Sequence, residues 1–302
     1  MGLLLLVACQ APPLFISKPE VLFSEGQLTE GPAVDTAGNL YFSDQPNDVI
    51  RRITPQGAVS VFMQPSGVAN GLAFDRQGHL LICQSHHGSY PGDSTAGKRR
   101  VVRREADGSI TVLAAQYGGR PFLGPNDLCV DRQGRIYFTD PYYPESGTFK
   151  TQPTSGVYRI DTDGSITRVL SDLQKPNGIL ITPDNQTMFI SDRGTQQLHR
   201  YHVQPDGGLA PDGVVYQFTG RGIDGMALDV AGNIYGAAGE EEQAGVYVID
   251  PAERKLLSFY AFPETVYNVC FGGEDGRTLY VCAGGSVYRL STRMKGVVLP
   301  VQ

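Results

Sequence analysis

Tryptophan is absent from this 302-residue chain, and its absence removes the Trp-Asp signature on which one large class of propeller blades is built. Cysteine occurs only five times, with no Cys-x-x-Cys pair and no His-rich spacing nearby. A disulfide framework, a zinc knuckle and a thiol nucleophile are therefore not expected. Cys83, Cys129, Cys270 and Cys282 fall inside apolar strand-like runs, where cysteine behaves as a small buried hydrophobe. No apolar run approaches the ~20 residues that a transmembrane helix needs. Basic excess is missing too. The net charge of -6 argues against a nucleic-acid partner, which needs a positive surface. The one basic run, Lys98-Arg99-Arg100 with Arg103 and Arg104, reads as the solvated face of a strand. A Gly-x-Ser-x-Gly elbow is also lacking, so a serine-hydrolase triad has no support.

What the chain has in abundance is glycine (37) and proline (20) without collagen-like period, as a fold with many short turns requires. One sentence is written six times. Pro125-Asn126-Asp127-Leu128-Cys129-Val130-Asp131 runs through Gly134 to Ile136-Tyr137-Phe138-Thr139-Asp140, which reads as strand, tight turn and strand. Related versions open at Glu30, Asn70, Asn177, Asp224 and Asn268, at intervals of about 40 to 56 residues. Spacing of that order marks a propeller or a solenoid. Each repeat continues with a second hairpin, often across Asp-Gly: Gly156–Ile160 with Ile166–Leu170 over Asp163-Gly164 is one example. No stretch of helical period intervenes. Six repeats of four strands predict an all-β, six-bladed propeller of four-stranded antiparallel blades over residues 20–302.

A ring must close, or an edge strand stays open. Glu20-Val21-Leu22-Phe23 stands before Glu30 as a fourth strand stands before each later repeat, and is expected to complete the last blade in preference to the Val297-Val298-Leu299 tail. Residues 1–19 form a separate segment. Its Leu6-Val7-Ala8-Cys9 resembles a bacterial lipoprotein box, although no basic stretch precedes it. The segment is therefore read either as the remnant of a lipoprotein signal, which places the protein in the cell envelope or periplasm, or as an ordinary N-terminus of a cytoplasmic protein. Two inserts, Ser85 to Gly97 and Tyr142 to Gly156, lengthen loops of the second and third repeats.

The first residue of each repeat should start the innermost strand of its blade. Glu30, Asn70, Asn126, Asn177, Asp224 and Asn268 would then ring one mouth of the central channel. Converging carboxylate and carboxamide oxygens suit a hard divalent cation, Ca²⁺ before Zn²⁺, Mn²⁺ or Mg²⁺. Asp44, Asp140 and Asp192, which end the second strand of three repeats, read as structural.

Glu30-Gly31-Pro32, Pro125-Asn126-Asp127-Leu128, Pro176-Asn177-Gly178-Ile179 and Ile223-Asp224-Gly225-Met226 together closely resemble the SMP-30/gluconolactonase (regucalcin-like) family, over about residues 20–290. The resemblance implies a divalent cation in the channel and hydrolysis of lactones. It places metal ligands on Glu30, Asn177 and Asp224, a substrate contact that is often also near the metal on Asn126, and the general base on Asp224. His87-Gly88, Gly119-Arg120-Pro121-Phe122 and Phe138-Thr139-Asp140-Pro141-Tyr142 resemble bacterial members further. Animal members carry an Arg two residues before the Asn, where this chain has Gly124, and Arg120 is a candidate replacement. Asn70 and His87 complete the expected substrate contacts, with Tyr142, Tyr143 and Tyr267 as pocket walls. Asp224→Asn should then stop turnover and leave folding almost untouched. The competing readings are an interaction propeller of the NHL or YWTD sort, and a metal- or sugar-binding member without turnover.

Overall fold

The computed structural model describes residues 13–85, 98–146 and 150–297. Six four-stranded antiparallel sheets follow one another along the chain. Blade 1 is Thr29–Val34, Leu40–Asp44, Val49–Ile53 and Val59–Met63. Blade 2 is Ala69–Phe74, Leu80–Gln84, Arg100–Arg104 and Ile110–Ala114, and blade 3 is Leu128–Val130, Ile136–Asp140, Gly156–Ile160 and Ile166–Leu170. Blade 4 comprises Pro176–Ile181, Thr187–Asp192, Gln197–Val203 and Leu209–Gln217, and blade 5 Met226–Leu228, Ile234–Ala238, Gly245–Asp250 and Lys255–Ala261. Blade 6 takes Val266–Gly272, Thr278–Ala283 and Ser286–Ser291 from the end of the chain and Glu20–Phe23 from its beginning. The protein is a six-bladed β-propeller. Among the described residues the only helical elements are two single turns, Pro144–Ser146 and Glu241–Gln243, and no helix is long and apolar enough to cross a membrane.

Closure is by the N-terminal strand, as expected. Glu20 pairs with Arg289 and Val21 with Tyr288, and the two Glu20 oxygens each accept a hydrogen bond from the Arg289 guanidinium at 2.9 Å. The tail has a different task. Val230 donates its N–H to the carbonyl of Lys295, and Val297 donates to that of Leu228, so the last described residues lie along the inner hairpin of blade 5.

Alternation along the second strands explains why six blades cohere. In blade 1, Leu40 and Phe42 pack with Phe23, Cys282 and Val287 of blade 6, whereas Tyr41 between them packs with Leu72 and Leu80 of blade 2. In blade 3, Ile136 and Phe138 turn to blade 2 and Tyr137 to blade 4. Blade 5 repeats the rule with Ile234 and Tyr235. Successive side chains of a strand point to opposite faces, so each sheet is apolar on both and needs a neighbour on each side. The result is six apolar clusters, one between each pair of neighbouring blades. A fully buried ring such as Phe42 or Phe138 contributes about 1.5–3 kcal/mol through its area alone.

The turns of the inner hairpins have a common chemistry. The Asp131 carboxylate accepts hydrogen bonds from the Gln133 and Arg135 N–H groups at 2.9 Å each, and Gly134 supplies the left-handed φ of 83° that closes the turn. Asp35, Asp75 and Asp229 do the same in blades 1, 2 and 5. First strands of neighbouring blades meet around the axis, and glycine lets them approach. A Cβ on Gly178 would stand 2.2 Å from the backbone oxygen of Asp224. Gly178→Ala should therefore force blades 4 and 5 apart locally and destabilise by about 1–3 kcal/mol. A urea midpoint equal to wild type would show that the contact tolerates a methyl group.

Candidate functional site: a ring of oxygens at the channel mouth

Glu30, Asn70, Asn126, Asn177, Asp224 and Asn268 all lie within two residues of the start of a first strand, and all six are buried. The ring expected from the repeat is thus assembled. Neighbouring blades hold its backbone. The Ser43 hydroxyl donates to the carbonyl of Asn70 at 2.9 Å, and the Thr139 hydroxyl donates to that of Asn177 at 2.8 Å. The aspartates beside them fix the loops that enter the ring. Asp140 accepts from the N–H groups of Leu123 and Gly124, and Asp192 from those of Gln174 and Lys175. Asp44 accepts from Gln27 N–H in the same way. These serine, threonine and aspartate side chains are structural.

The side chains of the ring divide by what they have left to give. Glu30 uses Oε2 to accept from its neighbour Gly31 N–H at 2.8 Å and from Asn268 Nδ2 at 3.0 Å. Asn268 is in turn oriented by Val269 N–H, which donates to its Oδ1 at 2.8 Å. Asn177 donates through Nδ2 to the Tyr143 hydroxyl at 2.8 Å. Asp224 Oδ2 accepts from Arg193 Nη1 at 3.1 Å and from Arg221 Nη2. Arg221 also donates to the Val266 carbonyl at 2.8 Å and lies 5.0 Å over the Tyr267 ring. Three oxygens, Glu30 Oε1, Asn177 Oδ1 and Asp224 Oδ1, have no hydrogen-bond partner among the described residues, and neither do the side-chain amides of Asn70 and Asn126.

Burial and crowding give the site its electrostatics. Burial, followed by the negative charge of Asp224, pushes the Glu30 carboxyl up to about 8. Asp127, the residue after Asn126, stands where blades 1, 2, 4 and 5 have glycine. Burial raises it to about 7, with Asp224 adding to the effect. Tyr143 is raised to about 12, also chiefly by burial. Behind the ring, a channel of about 570 Å³ continues between the first strands, past Gly31, Asp127 and Asn268 and on to Phe74 and Phe271.

This donor chemistry fits a hard divalent cation. The free oxygens belong to two carboxylates and one carboxamide, oxygen ligands of the kind calcium takes. Burial and the neighbouring Asp224 charge both disfavour the Glu30 carboxylate, and a positive charge placed beside it would oppose that shift. Among the described residues no three His, Cys, Asp or Glu side chains group as a metal cage; the oxygens available here come from two carboxylates and one carboxamide.

Four of the expected substrate and metal contacts, Asn70, Asn126, Asn177 and Glu30, come together with Asp224. His87 lies outside the described residues. Arg120 sits in a short exposed ladder, Gln116–Tyr117 with Arg120–Pro121, and its side chain forms no hydrogen bond or ion pair with the ring. Of the expected walls, Tyr143 reaches Asn177 from the second insert, and Tyr267 stacks on Arg221. Sequence reasoning missed Arg193, Arg221 and Asp127. Arg193 and Arg221 come from loops that the repeat does not govern. Asp127 did leave a signal, as the residue that breaks a glycine pattern.

The family model described as SMP-30/Gluconolactonase/LRE-like region matches residues 28–285. The chain is 30% identical to the gluconolactonase of Zymomonas mobilis, over 94% of its own length and 84% of that protein. It is 27% identical to the pentonolactonase XacC of Haloferax volcanii, with 86% and 82% covered. Among solved structures, a gluconolactonase from Xanthomonas campestris superposes with a TM-score of 0.80 at 26% identity, covering 94% of this chain and 96% of the other. The match over most of the propeller, ring included, shows that this chain belongs to the SMP-30/gluconolactonase family.

Proposed function

We propose that the protein hydrolyses the ester of a small hydroxylated lactone with the help of one divalent cation, calcium first, held by Glu30, Asn177 and Asp224 with Asn126 beside it. The observation that carries this reading is the set of three buried ring oxygens left without protein partners. Relatives named for gluconolactone and pentonolactone hydrolysis support the substrate class. When bound, the cation would act as a Lewis acid on the ester carbonyl.

The chain's own residues supply the rest. Asp224, with Oδ2 fixed by two guanidiniums, keeps Oδ1 to receive a proton from the attacking water. That water forms the new C–O bond, the ring C–O bond breaks, and the released alkoxide takes back the proton that Asp224 received, which regenerates the carboxylate and leaves a hydroxy acid. The uncommitted amides of Asn70 and Asn126 hydrogen-bond the hydroxyls of the substrate. Asn268 and Tyr143 hold Glu30 and Asn177 in place. Burial around the ring restricts water and strengthens each of these contacts.

The test is a lactone panel with chelated protein and each metal added back. Glucono-δ-lactone and pentonolactones should turn over only after a divalent cation is restored, and faster than unsubstituted aliphatic lactones. A protein that binds a cation tightly and hydrolyses none of them is a binding propeller instead.

A further inference from the structure

We propose that Arg193 is the substrate-recognition cation of this site, donating to the hydroxyl oxygens of the lactone and to the carboxylate of the ring-opened acid. The proposal rests on the lactonase reading and sharpens its specificity. Two guanidiniums meet Asp224 Oδ2, and they differ in what they have left. Arg221 is spent: its side chain is 4% exposed, and it also engages the carbonyls of Val266 and Gly239, the Glu240 carboxylate and the Tyr267 ring. Arg193 is not spent. Its side chain is 26% exposed, and Asp224 is the single side chain it pairs with among the described residues. A guanidinium carries five N–H donors in a fixed fork, so Arg193 holds several uncommitted donors on a partly exposed side chain beside the ring.

Its position is built. The Arg193 N–H donates to the Lys175 carbonyl at 3.0 Å, and the preceding Asp192 clamps the N–H groups of Gln174 and Lys175. Tyr143, Glu30 and Glu240 also act electrostatically on the Arg193 charge. The other cation on this side, Lys175, is engaged by Glu145 at 2.5 Å and by the Tyr143 ring. Opening a hydroxylated lactone produces a carboxylate, the group a guanidinium fork matches in two parallel hydrogen bonds. A lactone without hydroxyls offers Arg193 nothing beyond its ester. Arg193 therefore sets selectivity, while Arg221 keeps Asp224 in place.

The experiment compares wild type, Arg193→Lys and Arg193→Met, calcium-loaded and checked for metal content, on glucono-δ-lactone and δ-valerolactone. The selectivity ratio, kcat/KM for the first over the second, should fall about 10- to 100-fold in Arg193→Met, mainly through KM. Arg193→Lys, which keeps charge but loses the fork, should fall between. Binding of gluconate by calorimetry, in calcium excess, should weaken in parallel. An equal loss of kcat on both lactones, with the ratio and gluconate binding unchanged, would make Arg193 a mere prop for Asp224 and overturn the proposal. If wild type hydrolyses neither lactone, the lactonase reading fails. Gluconate binding to wild type and Arg193→Met then decides the role of Arg193 by itself: weaker binding to the variant upholds it, and equal or absent binding overturns it.

Discussion

Asp224→Asn lowers kcat/KM on glucono-δ-lactone by about a thousandfold. The change would remove the proposed proton acceptor, and positioned general bases are worth roughly 10²–10⁴ in rate. It also removes one of the two anionic oxygen donors of the ring. The structure adds a cost that the repeat pattern does not show. Two guanidiniums lean on Asp224, and one of them, Arg221, is almost fully buried. Asparagine keeps an oxygen acceptor at that point but no charge. Losing the carboxylate of a buried pair outright costs about 3–5 kcal/mol. Arg221 retains the Val266 and Gly239 carbonyls, so a loss of about 2 kcal/mol is expected, the value for a charged hydrogen bond made neutral. Folding is therefore not untouched, contrary to what the sequence suggests. Kinetics on glucono-δ-lactone together with a urea midpoint separate the two effects. A folded variant with wild-type turnover would remove Asp224 from the chemistry.

Most of the fold was legible because the propeller repeats its chemistry where it repeats its geometry. An Asp-x-x-Gly turn is the same physical solution in blades 1, 2, 3 and 5, and the alternation of Leu40, Tyr41 and Phe42 states in three letters that a sheet has two apolar faces. The ring followed from register: each blade starts its first strand at the same depth, so six starting residues must converge. Legibility stopped where the chain leaves the repeat. Arg221 lies in the irregular stretch between Phe218 and Asp224, and no period predicts that its side chain turns back on Asp224 three residues later. Arg193 follows Ser191-Asp192 just past the end of a second strand, where the repeat no longer fixes which way a side chain turns. Arg120, the candidate replacement for the Arg that animal members carry two residues before the Asn, belongs to a short exposed ladder with Gln116 and Tyr117. Its backbone carbonyl is one of three that the Gln152 amide ties down. Proximity in sequence was a poor guide to a site made by six distant segments.

The second large effect concerns the proton on Glu30. Its folded value of about 8 lies above the ordinary 4.5, because burial and then the Asp224 charge disfavour the carboxylate. For a group raised in this way, the stabilising share is present in full below the ordinary value and is lost as pH climbs through 8. The metal-free protein should therefore weaken between pH 5 and 9. If Glu30 ligates the cation as proposed, the cation needs the ionised carboxylate, and binding below pH 8 should expel the proton. Calorimetry of Ca²⁺ binding at pH 7, in buffers of different ionisation enthalpy, should register about one proton released. Apparent affinity should rise about tenfold per pH unit up to about 8 and then level off. Glu30→Gln separates the two roles of this side chain. It would remove the proposed anionic ligand, which should weaken Ca²⁺ binding by at least about 100-fold and abolish the proton release. By removing a buried acid it should also raise the melting temperature of the metal-free protein at pH 9, where wild type carries a buried charge. If Glu30→Gln binds Ca²⁺ as wild type does, with the same proton release, the cation is held elsewhere. If it loses binding but gains no stability at pH 9, Glu30 is a ligand whose carboxylate is already compensated in the free protein, and the two nearby guanidiniums at Asp224 are the charges that compensate it.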